Sequence, residues 1–103
     1  MTPDPDAGGA DAIRLSPDDN VATVLRPVGA GERLRVRCGD AVLEVRAQEA
    51  VPFCHKVCLA PIAAGSAVVK YGQPIGEALA PIGPGCHVHV HNMRSARARA
   101  RGR

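Results

Sequence analysis

Aromatic residues are almost missing from this chain: among 103 residues there is one Phe, one Tyr and no Trp. That scarcity excludes a core built on stacked rings, and it excludes single-strand nucleic-acid binding on an aromatic platform. The hydrophobic share of 46% is still enough for a core, so the core must be assembled from Val, Ala, Ile and Leu. No apolar run approaches the ~20 residues needed to cross a membrane. Sustained helical stripes are missing as well, and nine Pro with eleven Gly argue against long helices. The opening stretch, residues 1–11, is acidic and Gly-rich, unlike a signal peptide, so a cytoplasmic location is expected. The length suits a single domain, and a domain this small gains from packing against a partner.

Charge is unevenly placed. Residues 1–12 carry Asp4, Asp6 and Asp11, for −3, and residues 94–103 carry five arginines, for +5. Residues 13–93 hold eight basic and seven acidic side chains and are nearly neutral. The basic character of the chain is therefore a property of its tail. An Arg-rich tail attracts polyanions through counterion release. Without interleaved aromatics it reads as a solvated extension, and a nucleic-acid partner is not expected. The division that follows is a disordered extension over 1–12, a folded domain over 13–93 and a disordered Arg-rich tail over 94–103.

Within the middle segment, short β-branched runs are each closed by Gly, Pro or Asp, the pattern of an all-β fold. Strands are expected over 13–15, 21–28, 34–38, 42–45, 55–59, 67–71 and 87–90, the last extending towards Met93. Leu34-Arg-Val-Arg-Cys38 alternates, which buries one face and leaves the arginines in water. Gly39-Asp40 is a candidate hairpin turn. Residues 72–76 read as a turn-rich loop. Pro61-Ile-Ala-Ala-Gly65 is echoed by Pro81-Ile-Gly-Pro-Gly85 ahead of a second strand, too briefly to define a repeat architecture.

Three of the four histidines fall in Cys86-His87-Val88-His89-Val90-His91-Asn92. Along a strand, His87, His89 and His91 share one face while Val88 and Val90 share the other. Same-face neighbours sit roughly 6.6–7 Å apart, within reach of a common ion, and the valines would anchor the strand in the core. An exposed strand with polar side chains satisfies the same spacing. The fourth histidine lies in Cys54-His55-Lys56. A zinc cluster can be drawn from Cys54, Cys58, Cys86 and a histidine, but the spacing lacks the paired Cys knuckles of structural zinc sites. Cys58, among Val57, Leu59 and Ile62, reads as a small hydrophobe, and Cys38 can do the same. Lys70-Tyr71-Gly72-Gln73-Pro74-Ile75-Gly76 places a cation, a phenol and an amide in a stiffened turn. Such a turn can face a carboxylate ligand or be a solvated hairpin with Tyr71 as a packing cap.

Taken together, Asp19-Asn20-Val21-Ala22, His55-Lys56, Ile62-x-x-Gly65, Val69-Lys70-Tyr71-Gly72-Gln73-Pro74-Ile75-Gly76 and His87-x-His89-x-His91-Asn92 resemble, in order and spacing, the SAF-type domain or small subunit of the altronate/galactarate dehydratase family. The resemblance covers residues 13–93 and implies a small β-clip domain of short strands. It implies the accessory part of a sugar-acid hydro-lyase, working with a large catalytic subunit and inactive alone. A related branch eliminates sulfite from sulfolactate, and SAF-type domains also occur as non-catalytic sugar-acid binding modules. The family depends on a divalent metal, typically iron, with Mn2+ or Zn2+ as alternatives, shared here with the large subunit. Carried onto this sequence, the resemblance implies His55, Lys56 and His91 as catalytic groups. It implies Lys70, Tyr71, Gln73 and Asn92 as substrate contacts, with Lys56 and Lys70 as carboxylate binders, and His87, His89 and His91 as metal ligands. Self-association is left open. Two departures stand out: Cys54 replaces the family's usual Gly before His55-Lys56, and Cys86 replaces a polar residue before the histidine segment. If the two cysteines meet in space, they would soften the metal preference or form a redox-sensitive pair.

Overall fold

The computed structural model describes residues 9–95. Of the disordered stretches expected over 1–12 and 94–103, residues 1–8 and 96–103 lie outside the described residues. Among the described residues there are nine short strands and no helix, the all-β architecture expected. They are β1 (Ala12–Arg14), β2 (Val21–Val24), β3 (Arg33–Cys38), β4 (Ala41–Arg46), β5 (Lys56–Cys58), β6 (Ala67–Lys70), β7 (Gln73–Ala78), β8 (His87–Val88) and β9 (Met93–Ser95). Six strands form one sheet in the order β4-β3-β1-β2-β5-β8, and three form a second in the order β6-β7-β9. β1 and β3 run parallel; every other pair is antiparallel.

One backbone device recurs four times and explains much of this layout. Val28, Val51, Ile62 and Ile82 are all buried, and they pair as the isolated bridges Val28↔Val51 and Ile62↔Ile82. Three residues after each, φ turns positive: 87° at Gly31, 70° at Cys54, 82° at Gly65 and 88° at Gly85. The next amide closes the turn, Glu32 N to Gly29 O, His55 N to Pro52 O, Ser66 N to Ala63 O and Cys86 N to Gly83 O. A positive φ at the third residue of such a turn is the type II requirement, which Gly meets without strain. Three residues beyond the positive φ stands a fully buried anchor: Leu34, Val57, Val68 or Val88. The Pro-Ile-x-x-Gly echo is two of these four turns.

The core has two parts. Ala12, Ala22, Val24, Val28, Leu34, Val36, Ala47, Val51 and Val57 form one; Val21, Cys58, Ile62, Val68, Ala78, Ile82 and Val88 form the other. β2 and β5 serve both, because alternate strand residues point to opposite faces: Ala22, Val24 and Val57 to the first, Val21 and Cys58 to the second.

Several expectations change in detail. Ordered chain starts before Ile13: Ala12 is fully buried in β1, and the Asp11 carboxylate accepts from Arg35 N at 2.8 Å and Arg26 Nε at 3.0 Å. Likewise Arg94 and Ser95 belong to β9 rather than to the tail. The run over 21–28 stops as a strand at Val24. The hairpin turn at Gly39-Asp40 is present, with Cys38 opposite Ala41. Residues 72–76 are mostly strand, not loop: the turn is Tyr71-Gly72, and β7 starts at Gln73. Pro74 is tolerated there because it sits beside a register shift at Val68/Val69, where ladder hydrogen bonding is already interrupted. Gly76 admits no side chain, since a Cβ would collide with the carbonyl oxygen of Arg94 on β9. The last strand expected over 87–90 ends at Val88, and Val90 is 74% exposed instead of anchoring the core.

Candidate functional site

The four histidines converge at the edge of the six-stranded sheet. His87 opens β8, paired in register with Val57 of β5, while His55 lies just ahead of β5 in the turn of Cys54. Their neighbouring strands bring the rings together: His55 Nδ1 lies 2.8 Å from His87 Nε2. The His89 ring stacks on His55, with centroids 4.0 Å apart and planes at 19°. One nitrogen from each of His55, His87 and His89 lies within 4.8 Å of the others. His91 sits outside this trio and is exposed, its ring tilted 40° against His87 at 5.1 Å.

This grouping differs from the same-face argument, which joined His87, His89 and His91 on one strand. β8 ends at Val88, so period-2 alternation does not extend to residue 91. What turns the chain is Asn92. Its Oδ1 accepts from His89 N at 2.9 Å, its Nδ2 donates to His87 O at 2.8 Å, and its own amide donates to His89 O at 3.0 Å. The Asn92 side chain, carried over as a substrate contact, thus shapes the loop that folds His89 over His55. The His87 amide donates to Glu49 Oε2 at 3.1 Å, a contact no sequence pattern announced.

The electrostatics favour neutral rings at His87 and His89. Burial, reinforced by the charges of His91, His55 and His89, holds His87 below the usual histidine range. His89 is also held low, by desolvation first and then by His55, Lys56 and His91. A neutral imidazole keeps the lone pair that a metal ligand or proton acceptor needs.

Lys56 lies on β5 opposite Thr23 on one side and Val88 on the other. Burial, and then the nearby charge of Lys70, pushes its ammonium below the ordinary lysine range. Lys70 ends β6, with Nζ 5.0 Å from the centre of the Tyr71 ring. The Asp19-Asn20 pair explains why this segment lies here. Asp19, 4% exposed, accepts from Tyr71 N at 3.0 Å and Gly72 N at 2.8 Å, fastening a turn in which Tyr71 itself has φ 59°. Asn20 accepts from Val69 N at 2.8 Å and donates to Ala67 O at 3.0 Å, stitching β6 to the start of β2. Tyr71 and Gln73 are exposed. Thr23 was not singled out by any motif, yet its Oγ1 is buried without a hydrogen-bond partner among the described residues.

The donor set of His55, His87 and His89 fits a divalent ion. Three imidazoles suit zinc, iron or copper-type ions, and three protein ligands leave coordination positions open for substrate or for groups from another chain. The cysteines stand apart from this set. All four are free, and no cysteine joins the metal-competent group among the described residues. Cys58 is fully buried as expected, its Sγ donating to Ala60 O at 2.9 Å, and burial pushes its thiol up to about 11. Cys54 is exposed and occupies the left-handed region where three sister turns have Gly.

No helix among the described residues is long and apolar enough to cross a membrane. The family model for the altronate/galactarate dehydratase SAF domain matches residues 10–96. Over 83 residues, 81% of this chain, the sequence is 41% identical to altronate dehydratase of Escherichia coli (strain K12). Over the same length it is 35% identical to altronate dehydratase of Bacillus subtilis (strain 168). Each match takes in 16% of the relative, so the chain spans about a sixth of those proteins. It is also 36% identical over 83 residues to (2R)-sulfolactate sulfo-lyase subunit alpha of Chromohalobacter salexigens, covering 78% of this chain and 88% of that subunit.

Proposed function

The chain belongs to the altronate/galactarate dehydratase SAF-domain family, and we propose that it is the small, accessory part of a lyase that acts on a sugar acid or a related hydroxy acid. The observation that carries this reading is the convergence of His55, His87 and His89 from two separate turns. Support for a larger catalytic partner comes from a relative named as a subunit, which is matched along 88% of its length.

In this reading His55, His87 and His89 hold a divalent ion, iron, manganese or zinc, in a position shared with the large subunit. Bound there, the ion supplies positive charge that stabilises the enolate formed when the proton α to a carboxylate is removed. In the same reading His91, exposed beside His87, exchanges a proton with substrate. Tyr71, whose amide is held by Asp19, and Gln73, which opens β7 just after that turn, offer polar contacts to the substrate's hydroxyl groups. Asn92 keeps the histidine loop in shape. The near-complete match to a sulfo-lyase subunit favours a second reading, in which the reaction is elimination of sulfite from a sulfonated hydroxy acid.

Co-purifying the chain with a candidate large subunit tests both. The expected result is elimination of water from altronate or galactarate, or of sulfite from sulfolactate, in the mixture and in neither chain alone. Equal turnover by the large subunit without this chain would overturn the accessory role.

A further inference from the structure

Arg14 is a cation at an inward-facing strand position. Side chains alternate along β1, so Arg14 follows the buried Ala12 onto the side of the first core. Its partner across the parallel β1–β3 pair, Cys38, packs on that same core. A long cation at such a place lays its stem on apolar neighbours and carries its head to the rim. Here the Arg14 Nε is buried without a hydrogen-bond partner, and Arg14 makes no ion pair among the described residues. A guanidinium N–H that is desolvated and unanswered is unfavourable, the more so because the group is charged.

The guanidinium borders open space. Arg14, Leu15, Ser16, Pro17, Cys38 and Gly39 line a cavity of about 190 Å3. A water takes about 30 Å3 of liquid, so there is room for roughly half a dozen non-hydrogen atoms. That is too little for a six-carbon sugar acid. The Ser16 hydroxyl accepts from Asp18 N at 3.3 Å, which leaves its own proton to donate. Leu15 and Pro17 add apolar surface. A guanidinium fork, one hydroxyl and an apolar wall are the chemistry that recognises a short carboxylic acid. The cavity lies in the turn from β1 to β2, whereas His55 is joined to Val24 at the far end of β2.

We propose that this cavity is a second binding site, apart from the histidines, for a short-chain monocarboxylate. The carboxylate accepts from the Arg14 fork and from Ser16, and the alkyl stem lies against Leu15 and Pro17. The site does not depend on the lyase reading above. Inorganic phosphate offers the same oxyanion chemistry without a stem, so the test separates the two.

NMR of the full chain, with a chelator present and at fixed ionic strength, follows the backbone amides and the Arg14 Nε–H resonance. Butyrate is the probe, butanol its uncharged counterpart and phosphate the inorganic control. Butyrate is expected to shift and saturate the Arg14 Nε–H and the amides of residues 14–16 and 38–39, and butanol to leave them unmoved. Arg14→Met, which keeps the stem on the core, should weaken butyrate binding at least about 10-fold, and Ser16→Ala about 3-fold. If Arg14→Met loses the dispersed spectrum, Arg14→Lys and the wild-type Nε–H response carry the test. An unmoved Nε–H, or folded Arg14 variants that bind butyrate like the wild type, would overturn the site. Butanol binding as well as butyrate would overturn its oxyanion character, and phosphate binding as tightly as butyrate its assignment to a carboxylate with a stem. An intact butyrate response in His89→Ala is expected; its loss would overturn the separation from the histidines.

Discussion

The turns at residues 61–65 and 81–85 are built alike and used differently. Ile62 and Ile82 pair with each other at 3% and 4% exposure, Gly65 and Gly85 carry the same positive φ, and Val68 and Val88 are equally buried in one core. From that shared frame the first arm presents Ala67 and Val69, while the second presents His87 and His89. The first arm continues to Lys70 and pairs with β7. The second is cut short by Asn92, which folds His89 back onto His55. A common turn thus provides stable placement, and chemistry is added by changing the residues on either side of the buried anchor.

Equivalent substitutions in the two turns should break the comparison most sharply. Gly65→Ala meets open space and bears only the strain of a positive φ, about 1–2 kcal/mol. Gly85→Ala adds a collision with the Arg46 carbonyl oxygen, bringing the loss to about 3–5 kcal/mol. Thermal and urea unfolding of the two variants checks the ranking; equal losses would mean that the turns are not packed differently.

The chemical difference between the arms is sharpened by metal titration. His89→Ala removes a ligand and should lower zinc affinity by at least about 100-fold, and Asn92→Ala, which only loosens the loop, by about 10-fold. Val69→Ala, at the equivalent place in the first arm, should leave affinity unchanged. Competition against a chromogenic chelator measures all three.

The smallest effect concerns the turn that departs from its sisters. Cys54→Gly relieves left-handed strain of about 1–2 kcal/mol and gives back about 0.5–1 kcal/mol of backbone entropy. Net stabilisation of about 0.5–1 kcal/mol follows, a rise in Tm of roughly 3–6 °C. A lower Tm would show that the Cys54 side chain contributes contacts that outweigh its strain.

Much of the fold was legible because alternation and punctuation are local signals. The arginines of β3 point outward, as Leu34-Arg-Val-Arg-Cys38 required, and Gly39-Asp40 turns the hairpin. The readings that moved all depended on distant partners. Pro74 and Gly76 look like loop residues, but β6 and β9 supply the pairing that makes them strand. Val90 looks like an anchor, but an Asn92 side chain two residues later ends the strand before it. Thr23 carries no motif, and only the register with β5 sets it beside Lys56.

By itself, then, the sequence determined an all-β domain with a Val/Ala/Ile/Leu core, and its motifs marked both the family resemblance and the segments that hold histidine and lysine. Which imidazoles meet was decided only by tertiary structure. Ring positions depend on strand neighbours 32 residues apart, His55 beside His87, and on where one side chain stops β8. Local periodicity has no access to either, because contacts between segments far apart in the chain are set by the packing of two cores on a shared pair of strands.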